Sequence, residues 1–141
     1  MFCSCKNTND DDQTTPLTKG ADLTLEGTKW KLAGIVDKKT DYLKVLEPKD
    51  CEECYTLAFD TDSAFSSFSA SNELTGDYKV DYETNRIQIT NFGGTKMGEI
   101  GDGNLWWNII PSVESFSLKK DELKLYYDNE NYYLLFKPQK S

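Results

Sequence analysis

From Leu23 onward, apolar and polar residues alternate with a period of two, the pattern of strands that bury one face. Trp30, Leu32, Gly34 and Val36 alternate with Lys29, Lys31, Ala33 and Ile35, and Tyr55, Leu57 and Phe59 alternate with Thr56, Ala58 and Asp60. Tyr78, Val80 and Tyr82 are set against Asp77, Lys79 and Asp81, and after the turn residues Glu83, Thr84 and Asn85 the alternation resumes at Ile87 and Ile89. Phe116 and Leu118, then Leu123, Leu125 and Tyr127, then Tyr132, Leu134 and Phe136 are separated by turns at residues 119–122 and 128–131. Lys137 sets the last register, because the opposite one would drive a lysine inward. The result is about seven or eight short antiparallel strands whose apolar faces need one shared interior, which predicts an all-β barrel or sandwich. Residues 102–113 break the pattern. Leu105 with Ile109 and Trp106 with Ile110 stand four apart, predicting one or two helical turns ended by Pro111 and sized to plug one end of a barrel.

Composition narrows the chemistry. The 141 residues suit one domain, and 38% apolar with 13% aromatic residues supply a core. There is no histidine, which excludes Ser–His and Cys–His nucleophiles, His-ligated metal centres and imidazole pH switching. Sixteen basic against 24 acidic side chains give a formal net charge of −8, the wrong sign for binding nucleic acid. No apolar run approaches the ~18 residues that span a bilayer.

The first residues, Met1-Phe2-Cys3-Ser4-Cys5, resemble the end of a bacterial lipoprotein leader, with Phe2 and Ser4 at positions −3 and −1 from an acylated Cys5. Only four residues precede that cysteine, so no basic or apolar part of a leader stands before it, and Met1 reads as a late start or a cloning start. The acidic residues Asp10, Asp11 and Asp12 resemble the surface-export signal of Bacteroidetes-type lipoproteins. Residues 6–22 carry no periodicity and read as a flexible acidic tether with a reach of about 25 Å. With Cys5 acylated and Cys3 removed, one even pair remains, Cys51 and Cys54, as an oxidising compartment favours. The address expected is therefore extracytoplasmic: lipid-anchored at the outer membrane, on its outer or periplasmic face.

The folded part, residues 23–138, resembles the META domain family of HslJ-like heat-shock proteins, and in particular small META-like lipoproteins of Bacteroidetes-type anaerobes. The stretch Leu25-Glu26-Gly27-Thr28-Lys29-Trp30-Lys31-Leu32 is similar to the family's opening L-x-G-x-x-W-x-L signature. Asn72 to Tyr78 is similar to its central N-x-x-x-G-x-Y segment, Thr95-Lys96-Met97 to its T-[KR]-M box, and the hairpins from Ser115 to Lys137 to its closing pattern. The resemblance implies a compact β-barrel with one short helix packed across it. No active site can be carried over from it, because the family has no agreed catalytic residues. Two departures stand out. Ser71, Gly98 and Glu99 occupy places where many relatives carry a pair of cysteines, so that bridge is missing, and residues 37–54 form an insertion-like loop with its own cysteines.

Cys51-Glu52-Glu53-Cys54 is a poor redox pair, because it precedes a strand instead of opening a helix and its glutamates raise the thiolate pKa. As a zinc site it lacks two further ligands. As a local disulfide its short ring contributes only roughly 2 kcal/mol, enough to fix a loop tip and lower the entropy lost on binding. Residues 43–54, with Glu52 and Glu53 at the tip, are therefore the first candidate recognition loop; residues 63–72, with Phe65 and Phe68, are the second. Trp107, Tyr126 and Tyr133 are read as outward aromatics that suit a sugar or a protein partner, against cross-strand pairing as the plainer account. The glycines of residues 91–103 lack phosphate-loop spacing, Asp60-Thr61-Asp62 lacks the remainder of a calcium loop, and coincidental carboxylate pairs are expected among 24 acids. No cofactor or metal is expected. The function expected is a non-enzymatic, monomeric envelope lipoprotein that binds a protein through the stapled loop, with peptidase inhibition as one concrete version; glycan binding through the aromatics and an envelope-stress role of HslJ type are the alternatives.

Overall fold

The computed structural model describes residues 23–139; the leader and tether read at residues 1–22, Cys5 among them, lie outside that range. Nine strands form one antiparallel sheet: β1 (Lys29–Asp37), β2 (Tyr42–Lys44), β3 (Thr56–Phe59), β4 (Ala64–Phe68), β5 (Glu73–Asp81), β6 (Arg86–Gly94), β7 (Ser115–Lys119), β8 (Glu122–Tyr127) and β9 (Tyr132–Pro138). The last strand returns to the first, with Tyr132 opposite Asp37 and Pro138 opposite Trp30. Eight strands thus close a barrel, and β2 is a short addition that pairs with the end of β1 at Ile35–Asp37. Closure removes the unpaired edges that an open sheet would expose.

The turns carry the residues such bends require. Asn85, Asp128, Asn129 and Glu130 all adopt positive φ, the left-handed region that Asn and Asp tolerate best. The inward rows follow the sequence alternation, with Tyr78, Ile87, Leu123, Leu125, Leu134 and Phe136 all buried.

Alternation fails in β1, and again in β6, where Asn91 and Phe92 stand against Gly76 alone. Leu135 stands opposite Gly34 and Phe136 opposite Leu32, so Ala33 has no partner and β1 carries a bulge there. The extra residue reverses the facing of all that follows. Ile35, not Val36, therefore joins the core beside Leu134, while Val36 is covered from outside by β2, where its register partner is Leu43. A second correction concerns Phe65. It is not displayed but 1% exposed inside the barrel, and its ring lies 2.6 Å from where a Cβ on Gly76 would stand, so only glycine fits opposite it. Residues 63–72 are largely β4 and its buried end, with Ser69 and Asn72 both buried, and they do not form a display loop.

Each end of the barrel has its own plug. At the lower end, defined as the end where β1 begins, Leu25 is fully buried and its N–H donates to the Tyr82 hydroxyl, 3.0 Å away. At the upper end lies α1 (Gly103–Ile109), continued by a single 3-10 turn, Ile110–Ser112, that begins next to Pro111. Its Trp106 is completely buried, with its indole N–H on Ser67 Oγ at 2.9 Å and its ring against Tyr55 and Phe136 at 5.4 and 6.1 Å.

Because Phe65 fills the interior, Phe65→Ala should cost about 3–5 kcal/mol of unfolding free energy, read from the urea midpoint. A displayed side chain would change stability by less than about 0.5 kcal/mol.

Candidate functional site

The upper rim carries two long loops, residues 45–55 and 95–102, and the sequence between them explains why they hold their shape. Cys51 and Cys54 are bonded as a disulfide. Cys54 is fully buried, while Glu52 and Glu53 are exposed at the tip. The Cys54 N–H donates to the Cys51 carbonyl at 3.4 Å, so the staple closes a tight turn that leads into β3. Lys31, on β1, reaches up and donates its ammonium to the carbonyls of Cys51 (2.8 Å) and Cys54. Burial lowers the Lys31 pKa and the nearby Glu52 partly offsets this.

The two loops meet at Glu47 and Asp102. Asp102 precedes α1, but its carboxylate does not cap the helix; Oδ2 accepts the Glu47 N–H at 2.8 Å, and the Asp102 N–H donates to the Glu47 carbonyl at 2.8 Å. The Tyr55 hydroxyl donates to the same carbonyl at 2.5 Å, and burial, with the Asp102 charge beside it, pushes the Tyr55 pKa up to about 12. Gly101 adopts φ +52° and a Cβ there would overlap the Glu47 carbonyl oxygen, so the seam requires glycine.

The second loop is held from below by Asn72, which is 1% exposed. Its amide nitrogen donates to the Met97 carbonyl (2.9 Å) and to Glu99 Oε2 (2.6 Å). Its oxygen accepts from the Met97 N–H (2.7 Å) and the Thr95 hydroxyl (2.9 Å). Glu99 Oε2 also accepts from Ser69 Oγ and from the Trp107 indole N–H, each at 2.5 Å, and Oε1 accepts the Ser71 N–H at 3.1 Å. Burial by itself raises the Glu99 pKa, but the hydrogen bonds from Ser69, Asn72, Trp107 and Ser71 outweigh it and hold the carboxyl below its usual range. The central asparagine and the Thr95–Met97 box are thus two halves of one latch. Where the family resemblance points to a bridge of cysteines, Ser71 and Glu99 are joined by a hydrogen bond.

Beside the charged side chains of Lys49, Asp50, Glu52, Glu53 and Lys96, the rim exposes apolar ones. Among the described residues, seven large hydrophobic side chains are exposed, and five of them lie on this rim: Tyr42, Leu43, Val45, Met97 and Ile100. The other two, Leu23 and Tyr82, lie at the lower end.

The aromatics separate into distinct roles. Tyr126 and Tyr133 do point outward, but they are half-buried against each other at 5.3 Å, with the Lys38 and Lys124 ammoniums over their rings at 5.4 and 4.9 Å. Burial raises the Tyr126 pKa, and Tyr133, Glu130 and Glu122 add to the effect. Trp107 is half-buried, tied to Glu99 and set against Phe92 at 5.9 Å. Phe68 is half-buried on the core. Of the site residues singled out from sequence, Glu52 and Glu53 are displayed on the rim, while Cys51 is half-buried and Cys54 is buried beneath them. Lys31, Glu47, Asp102 and Glu99, which position it, carry no spacing that would have marked them; Glu99 alone stood beside a motif.

Comparison with known proteins agrees with this architecture. A META domain family model matches residues 22–141. A protein of Tannerella forsythia named "Putative lipoprotein" is 39% identical over 117 residues, covering 82% of this chain and 77% of that protein. The crystal structure of a DUF4847 family protein from Bacteroides vulgatus superposes with a TM-score of 0.67 at 15% identity, covering 86% of this chain and all of the other; at that identity the likeness is one of fold.

Glu99→Gln should cost about 1–3 kcal/mol and speed amide exchange at Met97. The native latch should hold fully above the ordinary carboxylate pKa of 4.5 and be lost as pH falls through the lower folded value, seen as a change in Trp107 fluorescence. Gly101→Ala should likewise be destabilising, read as a lower Tm, because it forces strain at positive φ and separates Glu47 from Asp102.

Proposed function

Since the chain belongs to the META domain family, we propose that it is a non-enzymatic, lipid-anchored module of the cell envelope whose upper rim binds a protein partner. The observation that carries this reading is directional. The chain joins the barrel at the lower end, where Leu25 is buried under Tyr82. The exposed apolar side chains of residues 42–45 and 97–100 stand at the opposite end. A lipid on Cys5 therefore tethers one end and leaves the other facing away from the membrane. The similarity to a protein named as a lipoprotein and the lipobox-like residues before Cys5 support the anchor.

Fixed loops bearing apolar side chains suit protein recognition, because little entropy remains to be lost and the buried apolar area is favourable. A peptidase cleft takes an extended, substrate-like segment; the Cys51–Cys54 turn is bent and closed on itself, so the apolar seam, with the acidic tip at its border, is the better contact surface than the tip alone.

The test has two arms. Cells expressing the full precursor are fed an alkyne fatty acid: the protein should be labelled and Cys5→Ala should not. A photo-crosslinking residue is then placed at Val45, Ile100 or Lys120 in intact cells. A common adduct from Val45 and Ile100 that is absent from Lys120, and reduced when Cys51 and Cys54 are reduced and alkylated, supports the reading. Adducts that are equal at all three positions contradict it.

A further inference from the structure

The register of the closed sheet places four residues in one row across the inner side of the upper rim. Tyr42 lies opposite Asp37, Asp37 opposite Tyr132, and Tyr132 opposite Tyr127, across β2, β1, β9 and β8. These residues, with Ile35 and Lys44, line a cleft of about 220 Å³. Tyr127 and Tyr132 stack at 5.6 Å with ring planes 19° apart and rest on the core, which makes a fixed aromatic base. Tyr42 stands 68% exposed at one side. Among the described residues, Asp37 Oδ1 accepts the Lys39 N–H (2.9 Å) while Oδ2 has no partner, Lys44 makes no ion pair, and the three phenol hydroxyls have no protein partner. Burial, with Tyr132 and Asp128 beside it, pushes the Tyr127 pKa up to about 12, so its hydroxyl stays protonated and can donate.

We infer that this row is a binding site for a single neutral pyranose unit of a glycan. A tyrosine platform matches the C–H face of a sugar ring. The carboxylate, the ammonium and the phenols supply acceptors and donors for the ring hydroxyls. Asp37 and Lys44 have opposite charge and share one small cleft, so neither a cationic nor an anionic ligand gains from the net field, whereas a polyhydroxyl ligand uses both. The volume equals that of about seven waters at ~30 Å³ each, the scale of one ring and not of a chain. The outward pair Tyr126 and Tyr133 is a weaker candidate, because Lys38 and Lys124 already cover those rings. The inference shares Tyr42 with the apolar rim but does not depend on a protein partner.

The test is a two-dimensional amide NMR titration of the full chain with methyl pyranosides of the gluco, galacto, manno and N-acetylglucosamine series, with choline and inorganic phosphate as charged probes. At least one neutral pyranoside should shift amides in residues 35–44 and 127–132 at millimolar concentration. Asp37→Asn, which keeps an acceptor for the Lys39 N–H, should weaken binding about tenfold. Tyr42→Ala, at an exposed position that leaves the fold intact, should weaken it severalfold, and Tyr133→Ala should leave it unchanged. The inference is overturned if no neutral pyranoside perturbs the rim, if choline or phosphate does so instead, or if the response is the same in Asp37→Asn and Tyr42→Ala as in the native chain.

Discussion

Pairing of the last strand with the first governs this molecule. Once Tyr132–Pro138 lies along Lys29–Asp37, the sheet has no interior edge, and an eight-stranded barrel of this kind is just wide enough to be filled by side chains. Trp106, Tyr78, Phe59, Phe65 and Phe136 fill it. The middle is thereby closed to ligands and chemistry is confined to the surface and the two ends. One end is occupied by the incoming chain at Leu25 and the other by α1, whose short length leaves the surrounding loops free to project. The projection of the rim loops is a consequence of the packing inside.

The rim loops are held by polar interactions that a barrel core cannot provide. Asn72 and Glu99 share six hydrogen bonds drawn from the donors and acceptors of residues 69–107, counting their mutual bond once: Asn72 with Met97 (two), Thr95 and Glu99, and Glu99 with Ser69 and Trp107. The Ser71 N–H adds one more to Glu99. Buried polar groups are costly unless each finds a partner, so a network this fully satisfied specifies one loop conformation. Glu47 and Asp102 do the same between the loops, and Lys31 does it beneath the disulfide. These devices hold the backbone while the apolar side chains of residues 42–45 and 97–100 remain in water.

Much of the frame was legible in the sequence because strand alternation is a local signal: Tyr78, Leu125, Leu134 and Phe136 face the core as their spacing required, and the helix at Trp106 plugs the barrel end. Two errors have physical sources. The bulge at Ala33 leaves no trace in the spacing of Trp30 to Val36, because whether Ala33 has a partner is decided on β9. Phe65 sits in a segment whose Ser63, Ser66, Ser67 and Ser69 give it the composition of a loop; serines tolerated on an outer face and against Trp106 disguise a core strand. The candidate site was less legible still. The disulfide was readable from a local pair, but Lys31 with Cys51, Glu47 with Asp102, and Tyr42 with Tyr127 are brought together only by strand pairing and loop packing, across sequence separations that no periodicity spans.

The central claim is that a filled, closed barrel leaves recognition to the end opposite the tether. It is tested most directly by hydrogen–deuterium exchange on the lipid-bearing protein, alone and in complex with the partner recovered from intact cells. The account predicts added protection confined to residues 42–50 and 95–102, with the lower end at residues 23–27 and 119–122 unchanged. Protection centred on the lower end, or spread over the outer face of β4 and β5, would contradict it.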